Sequence, residues 1–200
     1  DSKSFIKVKD TLKALQHFAK AWRKDLKGQV LALTGSNGKT TTKDFLGQIL
    51  SNFGATTVSQ GSFNNHWGVP FTLLNTKKDD QFCVLEMGMN HAGELIQLVG
   101  IGDPDFVGVI NVGNAHIGHF ENGIEGVARA KEEIYEAANP RAQRIFSVDN
   151  PWTREMYKKY SEYPCYTYSL ENFSADVYFR IKEKRPKGFL IEGQIGGVLG

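Results

Sequence analysis

The sequence predicts an α/β fold, with a doubly wound, mostly parallel sheet and an antiparallel hairpin at one edge. Short apolar runs alternate with segments of helical periodicity through the first three quarters of the chain. Alternation of this kind is typical of strand-helix-strand units in a parallel sheet. From Cys165 onward, aromatic and β-branched residues alternate with polar ones on both sides of a turn at 186–188, which predicts the hairpin.

The first predicted element is a helix that precedes the alternating strands and helices. Asp10 is the predicted N-cap of this helix, and the apolar residues between Leu12 and Leu26 keep helical spacing. The end of the helix is rich in basic residues, and Gly28 follows it. We interpret 1–27 as a leader helix at the junction with a mostly absent N-terminal domain, and 28–200 as one domain. The strands and helices predicted in that domain are 30–34, 40–53, 56–59, 82–86, 94–99, 106–112, 125–138 and 145–148.

Composition excludes several classes of protein. Lys and Arg number 24 against 22 Asp and Glu, a net charge of +2 that is too balanced for a nucleic-acid-binding surface. No apolar run approaches the roughly 20 residues that span a bilayer. The two cysteines, Cys83 and Cys165, form no C-x-x-C pair, which favours a reducing compartment. We therefore expect a cytoplasmic monomer that binds no nucleic acid and does not insert into a membrane.

A glycine-rich loop follows the first strand of the domain. The segment GSNGKTTT at 35–42 lies between an apolar run and a helix whose Phe45, Leu46, Ile49, Leu50 and Phe53 share one face. This context is typical of a P-loop: backbone N–H groups bind phosphate, Lys39 neutralises its oxygens, and the Thr40 hydroxyl ligates Mg²⁺. The spacing is the shorter G-x-x-G-K-T, because Leu33 stands where the longer pattern has glycine. The alternative is an ordinary tight turn with Lys39 in solvent.

Two further strands end in chemically active residues. Glu86 closes the apolar run that begins at Phe82, and His116 follows the run that begins at Phe106. Ligands bind where parallel strands present their carboxyl ends, so Glu86 could hold Mg²⁺ directly or through water, and His116 could be an imidazole ligand. The alternatives are a glutamate bonded to a neighbouring loop and a histidine at the polar surface.

Lys131 lies on the apolar side of the helix predicted at 125–138. It is three or four residues from Val127, Ile134 and Tyr135, whereas the other charged residues occupy the opposite face. A lysine there costs several kcal/mol unless it is paired, neutral or modified. The alternative is an apolar stem whose ammonium reaches solvent.

Together these segments resemble the Mur ligase family of ATP-dependent, amide-forming ligases. The resemblance covers about residues 28–150. It rests on five motifs in order: GSNGKTTT at 35–42, NNHWGVPFTLLN at 64–75, LEMGMNHAGEL at 85–95, INVGNAHIGHF at 110–120 and ARAKEEIYEA at 128–137. The resemblance is greatest to members that add D-alanyl-D-alanine to a UDP-N-acetylmuramoyl tripeptide in bacterial peptidoglycan synthesis.

The resemblance implies roles for individual residues, with ATP and Mg²⁺ as cofactors. Lys39, His116 and Lys131 would be catalytic, with Lys131 carried as an N-carbamate. The metal ligands would be Thr40, Glu86, His116 and the Lys131 carbamate, and Asn64 would lie near the phosphates and the substrate. The ATP-binding residues would be Gly35, Ser36, Asn37, Gly38, Lys39, Thr40, Thr41, Asn65, Asp149 and Asn150. Ser147 stands where related ligases usually have Asn.

The implied partners are a UDP-muramoyl peptide and D-alanyl-D-alanine, joined through an acyl phosphate. Two alternatives stay open. One is another ligase of the same family, acting on folylpolyglutamate or on an earlier muramoyl peptide. The other is a nucleotide-binding module without turnover, because these ligases have three domains and we expect the first to be mostly absent and the carboxy-terminal one absent. We accordingly expect weak nucleotide binding and no ligation by the chain alone.

Overall fold

The computed structural model describes residues 6–115, 117–196 and 198–199. The strands are β1 Gln29–Thr34, β2 Thr56–Val58, β3 Phe82–Glu86, β4 Phe106–Val109, β5 Gln143–Ser147, β6 Cys165–Ser169, β7 Val177–Arg185, β8 Gly188–Ile195 and β9 Val198–Leu199. The helices are α1 Thr11–Arg23, α2 Lys39–Leu50, α3 Gly68–Asn75, α4 Glu94–Gly102, α5 Gly123–Glu136 and α6 Pro151–Tyr160, with a short 3₁₀ helix at Ile117–His119.

One sheet contains all of these strands, in the order β2-β3-β1-β4-β5-β6-β7-β8-β9. Neighbours are parallel from β2 through β7, and β8 and β9 are antiparallel additions at the edge. The predicted doubly wound, mostly parallel sheet with an antiparallel hairpin is confirmed. β1 lies between β3 and β4, so the carboxyl ends of these three strands meet at one edge of the sheet.

Some predicted boundaries differ from those in the structure. The strand that begins at Phe106 ends at Val109 rather than 112, because the chain turns away after Ile110 N donates to Thr34 O. β6 pairs parallel to β5, so the antiparallel part begins only with the pairing of β7 and β8. The sequence patterns also missed α3 and α6. Five residues of α3 are buried, and a helix buried on most sides shows no amphipathic period.

The leader helix α1 packs against α3 and α4. Asp10 caps it as predicted, accepting a hydrogen bond from Lys13 N at 2.9 Å. At its other end Arg23 pairs with Asp105 at 2.9 Å, and the same Asp105 oxygen accepts from Val30 N at 2.8 Å. α1 is therefore tied directly to the start of β1. The division at residue 27 into two domains stays a prediction.

The buried face of α2 consists of Lys43 and Gly47. Its apolar residues Phe45 and Ile49 are instead 60% and 56% exposed, and Leu46 and Leu50 are half-buried. Phe53, which lies beyond the end of the helix, is 71% exposed. Gly47 is required by packing, because a Cβ there would lie 2.6 Å from Val58 Cγ2. The helix can therefore approach β2 closely only with glycine at this position.

None of the described helices combines the length and apolar character that a membrane crossing needs.

Candidate active site

The loop at 35–38 joins β1 to α2 at the edge where β3, β1 and β4 end. Gly38 is the N-cap of α2, with a φ of 78° in the left-handed region that favours glycine, and no side chain caps the helix. The N–H groups in the first turn of a helix have no acceptor within the helix. An uncapped helix start after a parallel strand can therefore accept an anion.

Asn111, just beyond β4, fixes the shape of this loop. Its backbone oxygen accepts from Ser36 N at 3.0 Å, its Oδ1 accepts from Asn37 N at 3.1 Å, and its Nδ2 donates to Asn37 O at 3.0 Å. Ser36 Oγ donates to Gly113 O at 3.0 Å and accepts from Gly113 N at 2.8 Å. The backbone N–H groups of Ser36 and Asn37 thus donate to acceptors within the chain. The backbone N–H groups from Gly38 to Thr41 are the ones that could bind a phosphate.

Lys39 lies across the loop rather than in solvent. Its Nζ donates to Gly35 O at 2.8 Å, and the side chain is half-buried. Burial lowers the pKa of Lys39, while the negative charge of Glu86 acts in the opposite direction. The alternative of a fully solvated lysine in an ordinary turn therefore does not describe this residue.

Glu86 is only 1% exposed, and both of its carboxylate oxygens accept hydrogen bonds. Thr40 Oγ1 donates to Oε2 at 3.0 Å, and Asn64 Nδ2 donates to Oε1 at 2.8 Å. The backbone N–H of Glu86 donates to Ser59 Oγ at 3.1 Å. The structure thus brings together three residues that the sequence singled out, namely Thr40, Asn64 and Glu86.

The spacing of Thr40 and Glu86 fits an octahedral Mg²⁺ ion. Mg²⁺ binds oxygen at about 2.1 Å in octahedral geometry, which places adjacent ligand oxygens about 3 Å apart. Thr40 Oγ1 and Glu86 Oε2 are separated by 3.0 Å. A hydroxyl and a carboxylate are also ligand types that this ion accepts. These two residues can therefore occupy neighbouring ligand positions without rearrangement of the backbone.

Lys131 is 1% exposed, so almost all of its side chain is withdrawn from solvent. Burial, and to a smaller extent the nearby positive charge of Lys39, together lower its pKa from 10.5 to about 8. Within the described part of the chain, no hydrogen bond or ion pair is formed by this side chain. The fraction of Lys131 that is a neutral amine is therefore larger than for an ordinary lysine at the same pH, although the cation still predominates below about pH 8.

The remaining predicted metal ligand, His116, lies outside the described residues. Over residues 6–115, 117–196 and 198–199, no group of three or more His, Cys, Asp and Glu side chains could hold a metal ion. The set predicted for a second Mg²⁺ combines His116 with a modified Lys131, and it stays a prediction.

Asn65, Asp149 and Asn150 have structural partners. Asn65 Oδ1 accepts from Trp67 N and Gly68 N, each at 3.0 Å, and so begins α3. Asp149 accepts hydrogen bonds from Ser169 Oγ and Leu170 N beyond the end of β6. Asn150 caps α6 and donates from Nδ2 to Val112 O at 3.0 Å. Asn150 thus joins the start of α6 to the segment after β4, near the phosphate loop.

A cleft of about 530 Å³ opens beside Lys39. Its walls come from α1, from the loop containing Asn64 and from the segment between β3 and α4. The polar residues that face it include Lys13, Gln16, Lys39, Asn64, Asn90 and Glu94. Gln16 Nε2 also donates to His66 O at 3.2 Å across the cleft wall. The contribution of α1 to this cleft could not be read from sequence periodicity.

Comparisons with known proteins find relatives that match most of the chain. The family model described as the Mur ligase middle domain matches residues 33–193. UDP-N-acetylmuramoyl-tripeptide--D-alanyl-D-alanine ligase of a Synechocystis species is 37% identical over 164 residues, which are 82% of this chain and 36% of that protein.

Two solved structures extend the likeness to nearly the whole chain. A crystal structure of MurF from Acinetobacter baumannii superposes with a TM-score of 0.87 at 34% identity, over 98% of this chain and 42% of that one. MurF ligase from Thermotoga maritima, solved in complex with ADP, gives 0.85 at 26% identity, over 100% of this chain and 46% of that one. The chain therefore spans less than half of each of these proteins.

Proposed function

The chain belongs to the Mur ligase family, and on this premise we propose that it supplies the nucleotide-binding site of an ATP-dependent ligase joining D-alanyl-D-alanine to UDP-N-acetylmuramoyl-tripeptide. The observation that carries the proposal is the approach of Thr40 to Glu86, 3.0 Å apart, beside the uncapped start of α2. The name of the Synechocystis relative and the ADP in the Thermotoga structure support the substrate class and the nucleotide.

The reaction we propose has two steps. A carboxylate oxygen of the muramoyl peptide attacks the γ-phosphorus of ATP, the bond to the bridging oxygen breaks, and ADP leaves. The amine of D-alanyl-D-alanine then attacks the carbonyl carbon of the resulting acyl phosphate. Inorganic phosphate departs, the amide forms, and the amine nitrogen loses its proton to solvent. No nucleophilic side chain is required, so the protein acts by positioning and by offsetting charge.

Each part of the phosphate site has a task in this proposal. The free N–H groups from Gly38 to Thr41 would bind phosphate oxygens, and Lys39 would offset charge on the transferred group. Thr40 and Glu86 would hold Mg²⁺, which when bound offsets the negative charge of the phosphates. Asn64 would keep the Glu86 carboxylate turned toward Thr40 through its 2.8 Å hydrogen bond.

We propose that Lys131 is carried as a carbamate. Its neutral amine nitrogen would attack the carbon of CO₂, one C=O electron pair would move to oxygen, and the nitrogen would lose a proton to solvent. Burial and a pKa of about 8 favour the neutral amine that this reaction needs. The product is an anion in place of a buried cation, and with His116 it would supply ligands for a second Mg²⁺.

Labelling with isotope-enriched bicarbonate tests the modification. A carbamate carbon signal should appear in the nuclear magnetic resonance spectrum of the chain and disappear in Lys131→Met. A spectrum of the unchanged chain without that signal would refute the carbamate while leaving the first metal site unaffected.

In this role the protein would act in the bacterial cytoplasm as a monomer, on precursors of peptidoglycan. Calorimetry with ADP tests the nucleotide site: we expect binding that tightens with Mg²⁺ and weakens in Lys39→Ala. Failure of ADP to bind at any Mg²⁺ concentration would refute the proposal.

The acceptor is tested separately, by ADP formation in the presence of ATP, the muramoyl tripeptide and one candidate amine at a time. Dependence on D-alanyl-D-alanine supports the assignment. Dependence on a different amino acid with a different carboxylate substrate would indicate another ligase of the family. Nucleotide binding without ADP formation for any acceptor would favour a binding module.

A further inference from the structure

We propose that Lys43 is a positioning residue for the Mg²⁺ side of the site, acting through the loop between β2 and α3 that carries Asn64. The inference rests on the proposed function, because it concerns how Glu86 is presented to the metal. Lys43 lies one helical turn after Lys39 and Thr40, and it is not a ligand of the phosphate or of the metal in the scheme above.

The first observation is the burial and bonding of the Lys43 ammonium. The side chain is 2% exposed. Its Nζ donates to Ser59 O at 2.7 Å and to Gly61 O at 3.0 Å, and it pairs with Asp44 Oδ1 at 3.1 Å. A lysine ammonium has three protons to donate, so these partners use its full capacity. A methionine would fill a similar volume but would leave both backbone oxygens without their donor.

The second observation is that the loop bonded by Lys43 also contacts Glu86. Ser59 Oγ accepts from Glu86 N at 3.1 Å and from Thr72 Oγ1 at 3.3 Å. Five residues later in the chain, Asn64 Nδ2 donates to Glu86 Oε1 at 2.8 Å, and Asn64 O accepts from Gly88 N at 2.7 Å. The loop that Lys43 holds therefore contacts Glu86 at its backbone and at its carboxylate.

The third observation is that α2 carries both Thr40, which contacts Glu86 directly, and Lys43, which bonds the loop that contacts Glu86. Thr40 at its start donates to Glu86 Oε2 at 3.0 Å, and Lys43 in its next turn bonds the loop that presents Asn64 to Oε1. Gly47, the other buried residue of the helix, allows the close approach to Val58 in β2. One helix thus places the hydroxyl ligand and the support of the carboxylate ligand relative to each other.

The test compares Mg²⁺ dependence in variants of the chain. ADP affinity is measured by calorimetry over a Mg²⁺ series and in chelator alone. For Lys43→Met we expect the half-saturating Mg²⁺ concentration to rise about tenfold, the size typical for loss of a group that supports a metal ligand. ADP affinity in chelator should change by less than about twofold, because the phosphate loop is untouched. Lys43→Arg should restore most of the Mg²⁺ affinity.

A double-mutant cycle with Asn64→Ala identifies the route of the effect. If Lys43 acts through the loop, the double variant should need no more Mg²⁺ than the worse single variant. Multiplicative effects would show that the two residues act independently and would overturn the proposal, as would an unchanged Mg²⁺ requirement in folded Lys43→Met. Lys27→Met, in which an exposed lysine paired with Asp79 is removed, is the matched control.

Thermal unfolding establishes whether Lys43→Met folds. If it does not, Ser59→Ala removes the hydroxyl that accepts from Glu86 N and keeps the oxygen that accepts from Lys43. A raised Mg²⁺ requirement in Ser59→Ala supports the proposal, and an unchanged one overturns it. Absence of any Mg²⁺ effect on ADP binding in the unaltered chain would instead refute the proposed function itself.

Discussion

Thr40 Oγ1 and Glu86 Oε2 lie 3.0 Å apart, although 46 residues separate them in the sequence. The contact exists because β1 and β3 are parallel neighbours, with Leu33 in register with Glu86. The residues that follow β1 therefore start at the same edge of the sheet at which Glu86 ends β3. This pairing is the basis of the first prediction.

Glu86→Gln should remove most of the Mg²⁺ dependence of ADP binding. The amide keeps the size of the side chain but loses the negative charge that attracts the ion, so Mg²⁺ affinity should fall by roughly tenfold to a hundredfold. Calorimetry over a Mg²⁺ series measures this change. Glu125→Gln is the control, because Glu125 is exposed and pairs with Arg129 on the surface of α5. Equal Mg²⁺ affinity in both variants would contradict the assignment of Glu86.

Lys39→Met should weaken ADP binding by about tenfold or more, because hydrogen bonds to charged groups contribute about 1.5–3 kcal/mol. The same change should raise the pKa of Lys131, since the charge of Lys39 helps to lower it. Mass spectrometry of Lys131 acylation over a pH series measures the second effect. An unshifted acylation profile would mean that the two ammonium groups do not interact.

The burial of Lys131 predicts a particular dependence of stability on pH. Its pKa is about 8 in the folded chain and 10.5 ordinarily, so between these values the unfolded state binds more protons and stability rises with pH. Below about pH 8 both states are protonated, and the destabilisation by the buried cation is fully present.

Lys131→Met should therefore increase the free energy of unfolding at pH 7 by about 3 kcal/mol in buffer free of CO₂. This advantage over the unaltered chain should shrink as the pH rises from 8 toward 10.5. Urea unfolding at several pH values gives the comparison. An advantage that stays constant over this range would show that Lys131 is protonated equally in both states.

Two helical glycines should respond to alanine with opposite signs. Gly47→Ala should destabilise the fold by about 1–2 kcal/mol, because the new Cβ would lie 2.6 Å from Val58 Cγ2. Gly100→Ala in α4 should stabilise it by about 0.5–1 kcal/mol, because nothing lies within 4 Å of the added carbon. Chemical denaturation measures both. Adding Val58→Ala to Gly47→Ala should recover part of the loss if the steric reason is right.

Much of the fold follows from local signals. Periodicity and turn residues predict where the loop between β1 and α2 lies, the N-cap at Asp10 and the turn before β8, because each of these features depends on residues adjacent in sequence. α6 carried an equally local signal, because Asn150 is its N-cap and Pro151 its first residue. The predicted role of Asn150 as a nucleotide contact does not include this capping role.

The rest of the site depends on partners that are distant in sequence. The buried ammonium of Lys43 donates to carbonyl groups 16 and 18 residues away. Asn111 forms its hydrogen bonds to the phosphate loop with Asn37, 74 residues away, and we call this arrangement the Asn111 clamp. The face of α2 that packs inward is likewise set by the approach of β2. Apolar periodicity predicts an inward face that comprises Phe45, Leu46, Ile49, Leu50 and Phe53. Leu46 and Leu50 are half-buried and the other three are exposed, whereas the helix buries Lys43 and Gly47.

The clamp formed by Asn111 also bears on the kinetics of nucleotide capture. Because Ser36 and Asn37 are already fixed by hydrogen bonds to the segment after β4, the loop loses its conformational freedom when the chain folds. The backbone donors of the loop are therefore already positioned when a nucleotide arrives, and binding does not require the loop to become ordered first. Association should consequently be governed by diffusional encounter, and differences in affinity among nucleotides should arise mainly from how long each remains bound.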